Sequence, residues 1–453
     1  MVGKLLSDKE KNVDSGESGF RRTLGLFDGV AILVGITIGA GIYSTPTKIA
    51  NYQPSFWFII GLWVLAGIFV FLGGLIYAEL GSRFPKTGGE YVYITKAFGP
   101  YAGFIFGWAQ LFIVRTSPAA GLAIVIVNYV QHFVELTKWS QTALAIFVIS
   151  LIGALNYVGI RPASIFQAIS TIVKVGGLFV LVIVGLVLIQ GQGPGLSQTM
   201  EVTEPMSPFG LFAATMMLVI FSYLGWDRVG YSAGEMKNPG RNIPVSIVIG
   251  LSIVISAYIG AVFLYHYALG MDGVRSSERV ASDTATVLIG GTGASLIAVI
   301  VMISAAGSIN GTMMTAPRVY YAMAKDGLFL PWFNYIHPQF RTPSKAIIAH
   351  VIWAIVILLI RSSNFENIVA GMTFAVLVFY VVTTLAYFKL RMQNLGEKDA
   401  FRIPWIVPAV YLIGLVVLIA IRGVFEWQKS LVDMAFVATG IPFAIYFCRK
   451  STK

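Results

Sequence analysis

Residues 27–43 read FDGVAILVGITIGAGIY, a run apolar enough to cross a bilayer but interrupted by glycine at positions 35, 39 and 41. An uninterrupted helix is the usual way to cross hydrocarbon, because the bilayer core offers no partner for free backbone N–H and C=O groups. A Gly-Ala-Gly break at mid-depth gives up some of those hydrogen bonds, and it is tolerated only where the backbone lines a cavity. The segment therefore predicts a broken membrane helix of the kind that forms transport sites.

The composition of the chain indicates a membrane protein. Hydrophobic residues make up 57% of its 453 residues and charged residues only 12%, whereas soluble domains are about a quarter charged. Because a membrane-spanning helix needs about 20 apolar residues, we predict an all-α integral membrane protein with about twelve transmembrane helices. The predicted spans cover residues 26–50, 57–79, 99–133, 141–159, 164–189, 209–234, 244–269, 293–324, 345–360, 364–391, 404–424 and 430–448.

Basic residues are distributed unevenly around these spans. With the N-terminus inside, 22 of the 32 Lys and Arg fall in the two tails, the even-numbered loops and the span ends next to them. Seven fall on the outside, and Arg115, Lys174 and Arg228 lie within spans. This positive-inside pattern predicts that both termini, with tails at 1–23 and 449–453, are cytoplasmic. The net charge of +11 therefore reflects topology and contact with anionic lipid, and it predicts no nucleic-acid partner.

Motifs in a context that supports enzyme or metal chemistry are absent from the sequence. The single cysteine, Cys448, permits no intrachain disulfide, and the four histidines lie at no metal-ligand spacing. No HExxH or GxxxxGK(S/T) string occurs, and the one GxSxG match, GYSAG at 230–234, lies at the end of a predicted membrane span and not at a strand-to-helix turn. The sequence therefore predicts no enzyme, no catalytic residue, no metal site and no cofactor.

A second interruption occurs five spans later. Residues 221–228 read FSYLGWDR within the predicted sixth span, and Ser, Gly, Asp and Arg in succession make a poor membrane helix. Spans one and six begin on opposite sides of the membrane. Two five-span units that start at these spans would therefore be inverted relative to each other. Broken helices at corresponding positions of two inverted units indicate a transport site. Close helix packing is the alternative for the first break, since Gly35 and Gly39 have small-xxx-small spacing. The two breaks together favour a binding site.

Broken helices expose backbone groups that match an α-amino acid. Free N–H groups near Gly41, Ile42 and Tyr43, with the positive end of that half-helix, would bind a carboxylate. Carbonyl groups near residues 36–38 and 221–222 would accept hydrogen bonds from an ammonium group. Side-chain selectivity would then come from groups on spans three, eight and ten and from Tyr223, Leu224 and Trp226.

The chain also contains five longer motifs in a fixed order. They are IGAGIYSTP at 38–46, AELGSRFPKTGGEYVY at 78–93, FSYLGWDRVGYSAGEMKNPGRNIP at 221–244, GSINGTMMTAPRVYYAMAKDGLFLP at 307–331 and HPQFRTP at 337–343. On these motifs the chain resembles the amino acid–polyamine–organocation transporters, and within them the L-type amino acid transporter branch with its bacterial serine/threonine exchangers.

This resemblance implies a fold of two inverted five-helix repeats, with spans one and six broken. The repeats would cover about residues 24–190 and 209–391 of a transporter core at 24–391. Helices eleven and twelve would follow in residues 392–448. The resemblance also implies exchange or proton-coupled uptake of amino acids.

Carried over position by position, the resemblance places substrate contacts at the two breaks. The predicted substrate-binding residues are Ile38, Gly39, Ala40, Gly41, Ile42, Phe221, Ser222 and Leu224. Family members often read Tyr-Asp-Gly-Trp-Asn or Tyr-Gly-Gly-Trp-Asn at the second break, where this chain has Leu224 and Asp227. A leucine beside the unwound segment predicts a narrower or more apolar pocket.

One lysine lies deep in the predicted fifth span. Lys174 is about ten residues from the start of that span, which is deep for a side chain that has to reach the interface. The resemblance implies that its ammonium occupies the place that sodium holds in relatives, which predicts sodium-independent transport. An intramembrane lysine could instead carry a coupled proton.

Three further residues within the spans each allow two interpretations. Arg115 either contacts the substrate or a gate, or forms a structural ion pair with an acid on another helix. Tyr231 lies eight residues after Tyr223, on about the same helix face, and either gates the site or packs in the core. Asn310 either hydrogen-bonds across helices or faces the cavity.

Three acidic residues are predicted to be structural. Asp227 would cap the second half of the sixth span, where an acid suits the helix dipole. Glu79 and Glu235 lie at predicted cytoplasmic span ends and are expected to form ion pairs of an inside gate. The basic residues near them in sequence are Arg83, Lys86, Lys237 and Arg241.

Together these observations predict sodium-independent exchange of neutral L-amino acids across the cell membrane by alternating access. Spans one, two, six and seven would rock against spans three, four, eight and nine. The alternative is a proton-coupled symporter of an amino acid or amine. A membrane nutrient sensor is disfavoured because no soluble signalling domain is predicted, and a channel because no filter sequence occurs.

The expected partners are the amino acid substrate and the lipid bilayer. Animal L-type relatives join a glycoprotein through an outside cysteine between spans three and four. Residues 134–140 contain no cysteine, so no disulfide-linked heavy chain is expected.

Overall fold

The computed structural model describes residues 20–189, 196, 199, 201–202, 206–360, 365–425 and 427–451. The regular structure of these residues is helical, apart from two isolated backbone bridges, Leu24 with Met236 and Ser55 with Thr199. The α-helices are α1 (Leu26–Thr37), α2 (Gly41–Tyr52), α3 (Phe56–Arg83), α4 (Glu90–Phe98), α5 (Pro100–Ala109), α6 (Thr116–Val130), α7 (Lys138–Val158), α8 (Ile160–Ile189), α9 (Pro208–Tyr223), α10 (Pro239–Ser276), α11 (Val280–Ile289), α12 (Gly291–Lys325), α13 (Ser344–Ile360), α14 (Phe365–Met392), α15 (Ile406–Phe425), α16 (Trp427–Ala438) and α17 (Gly440–Ser451). Shorter segments form a π-helix at Gln110–Val114 and 3-10 helices at Trp226–Glu235 and Pro331–Phe333.

The helices confirm an all-α, multi-pass membrane protein. Within the described residues, nine helical segments are long and apolar enough to cross a membrane, and a tenth results if α1 and α2, bent by 40°, count as one span. Two of the predicted spans are not single helices long enough to cross a membrane. The helix α13 has 17 residues, about 26 Å of helix. The last predicted span is divided between α16 and α17. Twelve spans therefore stay a prediction. Parts of both predicted tails, at 1–19 and 452–453, and the predicted boundaries at 190 and 364 lie outside the described residues.

The first break separates α1 from α2. The helix α1 ends at Thr37, and Ile38 has left helical geometry (φ −76°, ψ 82°) before α2 begins at Gly41. The backbone is crowded here, because a Cβ atom on Gly41 would lie 2.9 Å from the Cα atom of Ser222 on α9. The break therefore brings the two interrupted spans into direct contact.

The second break follows α9. Leu224 is extended (φ −61°, ψ 142°) and Gly225 has a φ of +122°, a backbone conformation that favours glycine. The span resumes as the 3-10 helix Trp226–Glu235, which is kinked at Ser232 (φ −97°, ψ 18°), and 3-10 stretches inside a span often mark a hinge. A Cβ atom on Gly225 would lie 2.8 Å from the side chain of Ile36 on α1. The predicted breaks in spans one and six are thus both present.

The third span is irregular near its middle. The helix α5 passes directly into the π-helix Gln110–Val114, and Arg115 lies between that segment and α6. The amide of Arg115 donates to the carbonyl of Gln110, five residues back, at 3.1 Å. Single π-turns inside membrane helices are frequent at functional sites.

The helices form two groups that meet around the breaks. In one group α10 packs along α3 and α1, and α9 packs against α2 and α3. In the other, α12 packs against α6, and α13 packs against α6 and α7. The helix α8 contacts α1, α10 and α12, so it joins the two groups.

Candidate substrate site

A small cavity lies where the two breaks meet. Its volume is about 60 Å³, and residues from both interrupted spans, from α6 and from α12 line it. Six of the eight predicted substrate-binding residues are in this lining: Gly39, Ala40, Gly41, Phe221, Ser222 and Leu224. The others that line it are Ile36, Thr37, Pro118, Leu122, Arg228, Ser308 and Thr312. Two segments that lie 180 residues apart in sequence therefore share one cavity.

The start of α2 offers free backbone donors. The N–H of Tyr43 donates to the carbonyl of Ala40 at 3.1 Å. For the N–H groups of Ala40, Gly41 and Ile42, the described residues provide no acceptor. Free N–H groups at the positive end of a helix suit a carboxylate. Ile42 does not line the cavity and its side chain is buried in the core, so it could contact a ligand only through its backbone.

Lys174 on α8 reaches the carbonyl groups released by the first break. Its side chain is fully buried, and Nζ lies 2.8 Å from the carbonyl oxygen of Gly35, 2.9 Å from that of Ile38 and 2.8 Å from that of Ser304. The hydroxyl of Ser308 is a fourth oxygen at 3.4 Å. An ammonium group has three hydrogens to donate, so these carbonyls satisfy it in its charged form. Ile38, predicted to bind substrate, instead lies outside the cavity lining and accepts from the lysine.

Tyr258 on α10 joins the two breaks. Its hydroxyl lies 2.8 Å from the carbonyl oxygen of Thr37 and 2.9 Å from that of Ser222. The hydroxyls of Thr45 and Ser222, 2.8 Å apart, form a second link between α2 and α9. Sequence reasoning did not identify Tyr258, because a tyrosine in an apolar span gives no signal that distinguishes a hydrogen-bonding role from packing.

Arg115 forms a buried ion pair between the two helix groups. Its guanidinium donates to the carboxylate of Asp227 and, at 2.8 Å, to the hydroxyl of Tyr231. The carboxylate of Glu90 lies 3.7 Å away. Arg115 does not line the cavity, so the geometry matches the structural ion pair among its two interpretations. Asp227 lies in the first turn of the 3-10 helix, as predicted, with its charge compensated by the arginine.

Glu90, at the start of α4, completes this charged cluster. Its carboxylate accepts hydrogen bonds from the hydroxyls of Tyr231 at 2.5 Å, Thr383 at 3.0 Å and Tyr77. Burial, together with the nearby charge of Asp227, raises the pKa of Glu90 to about 7. The hydroxyl of Tyr231 therefore lies in this polar cluster, while its ring is part of the hydrophobic core.

Asn310 on α12 hydrogen-bonds across helices. Its side-chain oxygen accepts from Asn156 on α7 at 2.8 Å, and its nitrogen donates to Gln167 on α8 at 2.8 Å and to the carbonyl of Ala163 at 3.0 Å. Asn310 does not line the cavity. The cross-helix interpretation therefore fits the structure, and the cavity-facing one does not.

Two aromatic residues predicted to set selectivity also lie outside the cavity lining. The hydroxyl of Tyr223 donates to the carbonyl of Trp63 at 3.3 Å. Trp226 packs against the rings of Tyr77 and Tyr380, with centroids 4.8 and 5.2 Å away. Of the three residues predicted to set selectivity, only Leu224 lines the cavity.

Ion pairs lie at the end of the bundle that is predicted to be cytoplasmic. Glu235 binds Arg318 on α12 through two hydrogen bonds of 2.7 and 2.9 Å. Glu79 binds Arg83 at 2.8 Å and Arg391 at 3.1 Å. The ion-pair partner of Glu235 is therefore remote in sequence. The basic residues that follow Glu235 in sequence, at 237 and 241, do not form an ion pair with it. Such a partner could not be found from local spacing.

Three polar residues on α12, of which Ser308 and Thr312 line the cavity, were not identified from the sequence, although the sequence carries a signal for them. Ser304, Ser308 and Thr312 follow at intervals of four residues, which places them on one helix face. The hydroxyls of Ser304 and Ser308 donate to the carbonyls of Ile38 and Gly35 at 2.9 and 3.0 Å. This face of α12 therefore contacts the first break directly.

Comparison with known proteins gives matches over nearly the whole chain. The family model for amino acid permeases matches residues 24–441. The serine/threonine exchanger of Bacillus subtilis (strain 168) is 30% identical over 96% of this chain and 99% of its own length. The human b(0,+)-type amino acid transporter 1 is 27% identical, with 97% and 91% of the two chains covered. The human cystine/glutamate transporter is 24% identical, with 93% and 84% covered. The residues that the family model matches include both breaks and most of the helices.

Proposed function

Because the chain belongs to the amino acid permease family, we propose that it exchanges neutral L-amino acids by alternating access, without sodium. The observation that carries the proposal is the cavity between the two breaks, with free N–H groups for a carboxylate at the start of α2. The Bacillus subtilis relative is named as an exchanger and the human relatives as amino acid transporters. These names favour exchange over the proton-coupled alternative.

Sodium independence is supported by the position of Lys174. Its ammonium is surrounded by three carbonyl oxygens and one hydroxyl within 3.4 Å, a set of hard oxygen donors that also suits a small metal cation. A fixed ammonium group supplies that positive charge permanently. All three of its hydrogens have acceptors, which favours a lysine that stays charged over one that releases a proton.

Movement is proposed to occur between the two helix groups. The group of α1, α3, α9 and α10 would rock against the group of α6, α7, α12 and α13, as the predicted inverted repeats at about 24–190 and 209–391 require. The breaks lie at the contact between these groups, so a small rotation would open the cavity to one side. The predicted substrate-binding residues belong to this proposal.

The proposed location is the cell membrane, with both termini in the cytoplasm. The asymmetric distribution of Lys and Arg supports this orientation. No catalytic role is assigned to any residue. No disulfide-linked heavy chain is proposed, since residues 134–140 contain no cysteine.

Uptake into proteoliposomes tests the proposal. Labelled alanine would be offered to purified protein in sodium-free vesicles that are either empty or preloaded with unlabelled alanine, without a pH gradient. We expect uptake only into preloaded vesicles, and no increase when sodium is added. Equal uptake into empty vesicles would exclude obligate exchange, and stimulation by an inward proton gradient would favour the symporter.

A further inference from the structure

Arg228 is a buried cation in the wall of the candidate cavity. It lies in the first turn of the 3-10 helix that follows the second break, is 4% exposed and lines the cavity. One terminal nitrogen donates to the hydroxyl of Thr312 at 2.6 Å. Its Nε has no hydrogen-bond partner among the described residues. No carboxylate in that part of the chain lies within 4 Å of its guanidinium.

The acid next to Arg228 in sequence is already engaged. Asp227 pairs with Arg115 and also accepts from the hydroxyl of Tyr380 at 3.3 Å. Every other residue that lines the cavity is uncharged. A buried guanidinium destabilises a protein unless its five N–H groups find acceptors. A bound ligand that carries an acceptor would satisfy the donors that the chain leaves unused.

The geometry points to the substrate side chain as that acceptor. In the proposed function, on which this inference rests, the substrate carboxylate binds the N–H groups at the start of α2, so Arg228 remains for the side chain. The cavity is small, about 60 Å³, and has Leu122 and Leu224 in its wall, which favours a short side chain.

We propose that Arg228 is the specificity-determining residue and that the preferred substrates are amino acids with a short side chain ending in an oxygen acceptor. Hydroxyl and amide groups meet this description among the neutral amino acids of the proposed function, and a carboxylate group would extend the substrates to short acidic amino acids. An apolar side chain of equal size leaves the guanidinium unpaired, and a cationic side chain is repelled by it. The site would therefore discriminate between substrates in two ways, because it attracts side chains that carry an acceptor and repels cationic ones.

Competition between isosteric amino acids tests this inference. Exchange of labelled alanine would be measured in preloaded proteoliposomes with threonine, valine, aspartate or lysine as competitors. We expect threonine to inhibit at least about tenfold more strongly than valine, because a site built to hydrogen-bond a hydroxyl rejects the analogue that lacks it. Lysine is expected not to inhibit. Thermal stabilisation of the detergent-solubilised protein by threonine and by valine gives a second readout that does not require transport.

Three variants identify Arg228 as the source of the preference. Arg228→Met should bring the ratio of the threonine effect to the valine effect close to one, both in inhibition and in thermal stabilisation. Arg228→Lys should keep a preference for threonine and aspartate, and Arg228→Gln should lose the preference for aspartate. If Arg228→Met does not fold, the difference between the lysine and glutamine variants decides the question.

Several outcomes would overturn the inference. Equal inhibition by threonine and valine in the wild-type protein would refute it and leave amino acid exchange intact. An unchanged ratio in all folded variants would show that Arg228 only ties the 3-10 helix to Thr312. Absence of any alanine exchange, with no thermal stabilisation by any amino acid, would overturn the proposed function together with this inference.

Discussion

Gly41 shows how little space separates the two breaks at the scale of single residues. A Cβ atom there would lie 2.9 Å from the Cα atom and 3.1 Å from the Cβ and Oγ atoms of Ser222. A contact with backbone cannot be relieved by rotating a side chain, so the two segments would have to separate. On α3, by contrast, a Cβ atom on Gly61 would meet nothing within 4 Å.

Gly41→Ala is therefore expected to lower the initial rate of alanine exchange by roughly tenfold or more, since overpacking of a tight site typically costs about 1–3 kcal/mol. The matched control Gly61→Ala should exchange at the wild-type rate. Exchange measured in preloaded proteoliposomes, at equal amounts of inserted protein, checks both variants. Wild-type activity of Gly41→Ala would contradict the close contact of the breaks.

Glu90 predicts a pH dependence of stability. Burial raises its pKa from 4.5 to about 7, so between these values the folded protein binds more protons than the unfolded chain. The free energy of unfolding should then fall as pH rises from about 4.5 to about 7, by roughly 1–3 kcal/mol. Thermal unfolding of the solubilised protein at pH 5, 6, 7 and 8 measures this decrease in stability. Glu90→Gln should show a smaller decrease over this range, and an equal decrease would exclude Glu90 as the cause.

At this scale the sequence predicted backbone positions better than side-chain partners. The glycine breaks and the motifs predicted substrate contacts at residues 39–41, 221, 222 and 224, and all of these residues line the cavity. The contacts of Arg228 with Thr312 and of Tyr258 with both breaks join positions far apart in sequence. Local spacing contains no information about such pairs, so they required the folded structure.

Helical elements follow the hydropathy of the sequence closely. The predicted span at 57–79 corresponds to Phe56–Arg83 and that at 293–324 to Gly291–Lys325, because burial in lipid requires long apolar runs. The short helices α4 and α11 were not predicted, since each has only 9 or 10 residues and lies between the apolar runs. The 3-10 geometry after Gly225 also depends on tertiary contacts that a propensity argument does not include.

The helix α12 gives a prediction at the scale of elements. Asn310 ties it to α7 and α8 through Asn156, Gln167 and a backbone carbonyl. Asn310→Ala should lower the free energy of unfolding by about 1–2 kcal/mol, in the range of hydrogen bonds between membrane helices. Thermal or denaturant unfolding in detergent measures this loss. Thr292→Ala, at an exposed position at the start of the same helix, should leave stability unchanged, and equal effects of the two variants would contradict the role of Asn310.

At the scale of the whole molecule, the bidentate pair of Glu235 and Arg318, at one end of the bundle, joins the segment after the second break to α12. The backbone nitrogens of Thr23 and Leu24 both donate to the carbonyl of Glu235 at 2.9 Å. The chain segment that leads into α1 is therefore fastened to the same point. Opening this end requires both sets of contacts to separate.

Glu235→Gln should shift the protein toward the state open at this end, because it leaves the buried charge of Arg318 unpaired. The measurement is labelling of the Leu224→Cys variant, in a Cys448→Ser background, by a membrane-impermeant thiol reagent. The labelling rate should rise about tenfold in inside-out vesicles and not in right-side-out vesicles. Glu397→Gln, at an exposed position, is the control. A rise from the opposite side would reverse the proposed orientation of the gate.

A positive charge that belongs to a side chain is not transported across the bilayer with the substrate. The ammonium of Lys174 is held by oxygens of Gly35, Ile38 and Ser304, so it returns to the same place in every cycle and carries no net charge from one compartment to the other. In the proposed function, a carrier built in this way does not use the sodium gradient. Its direction would then follow from the concentrations of its substrates on the two sides, with one amino acid accumulating inside as another is released.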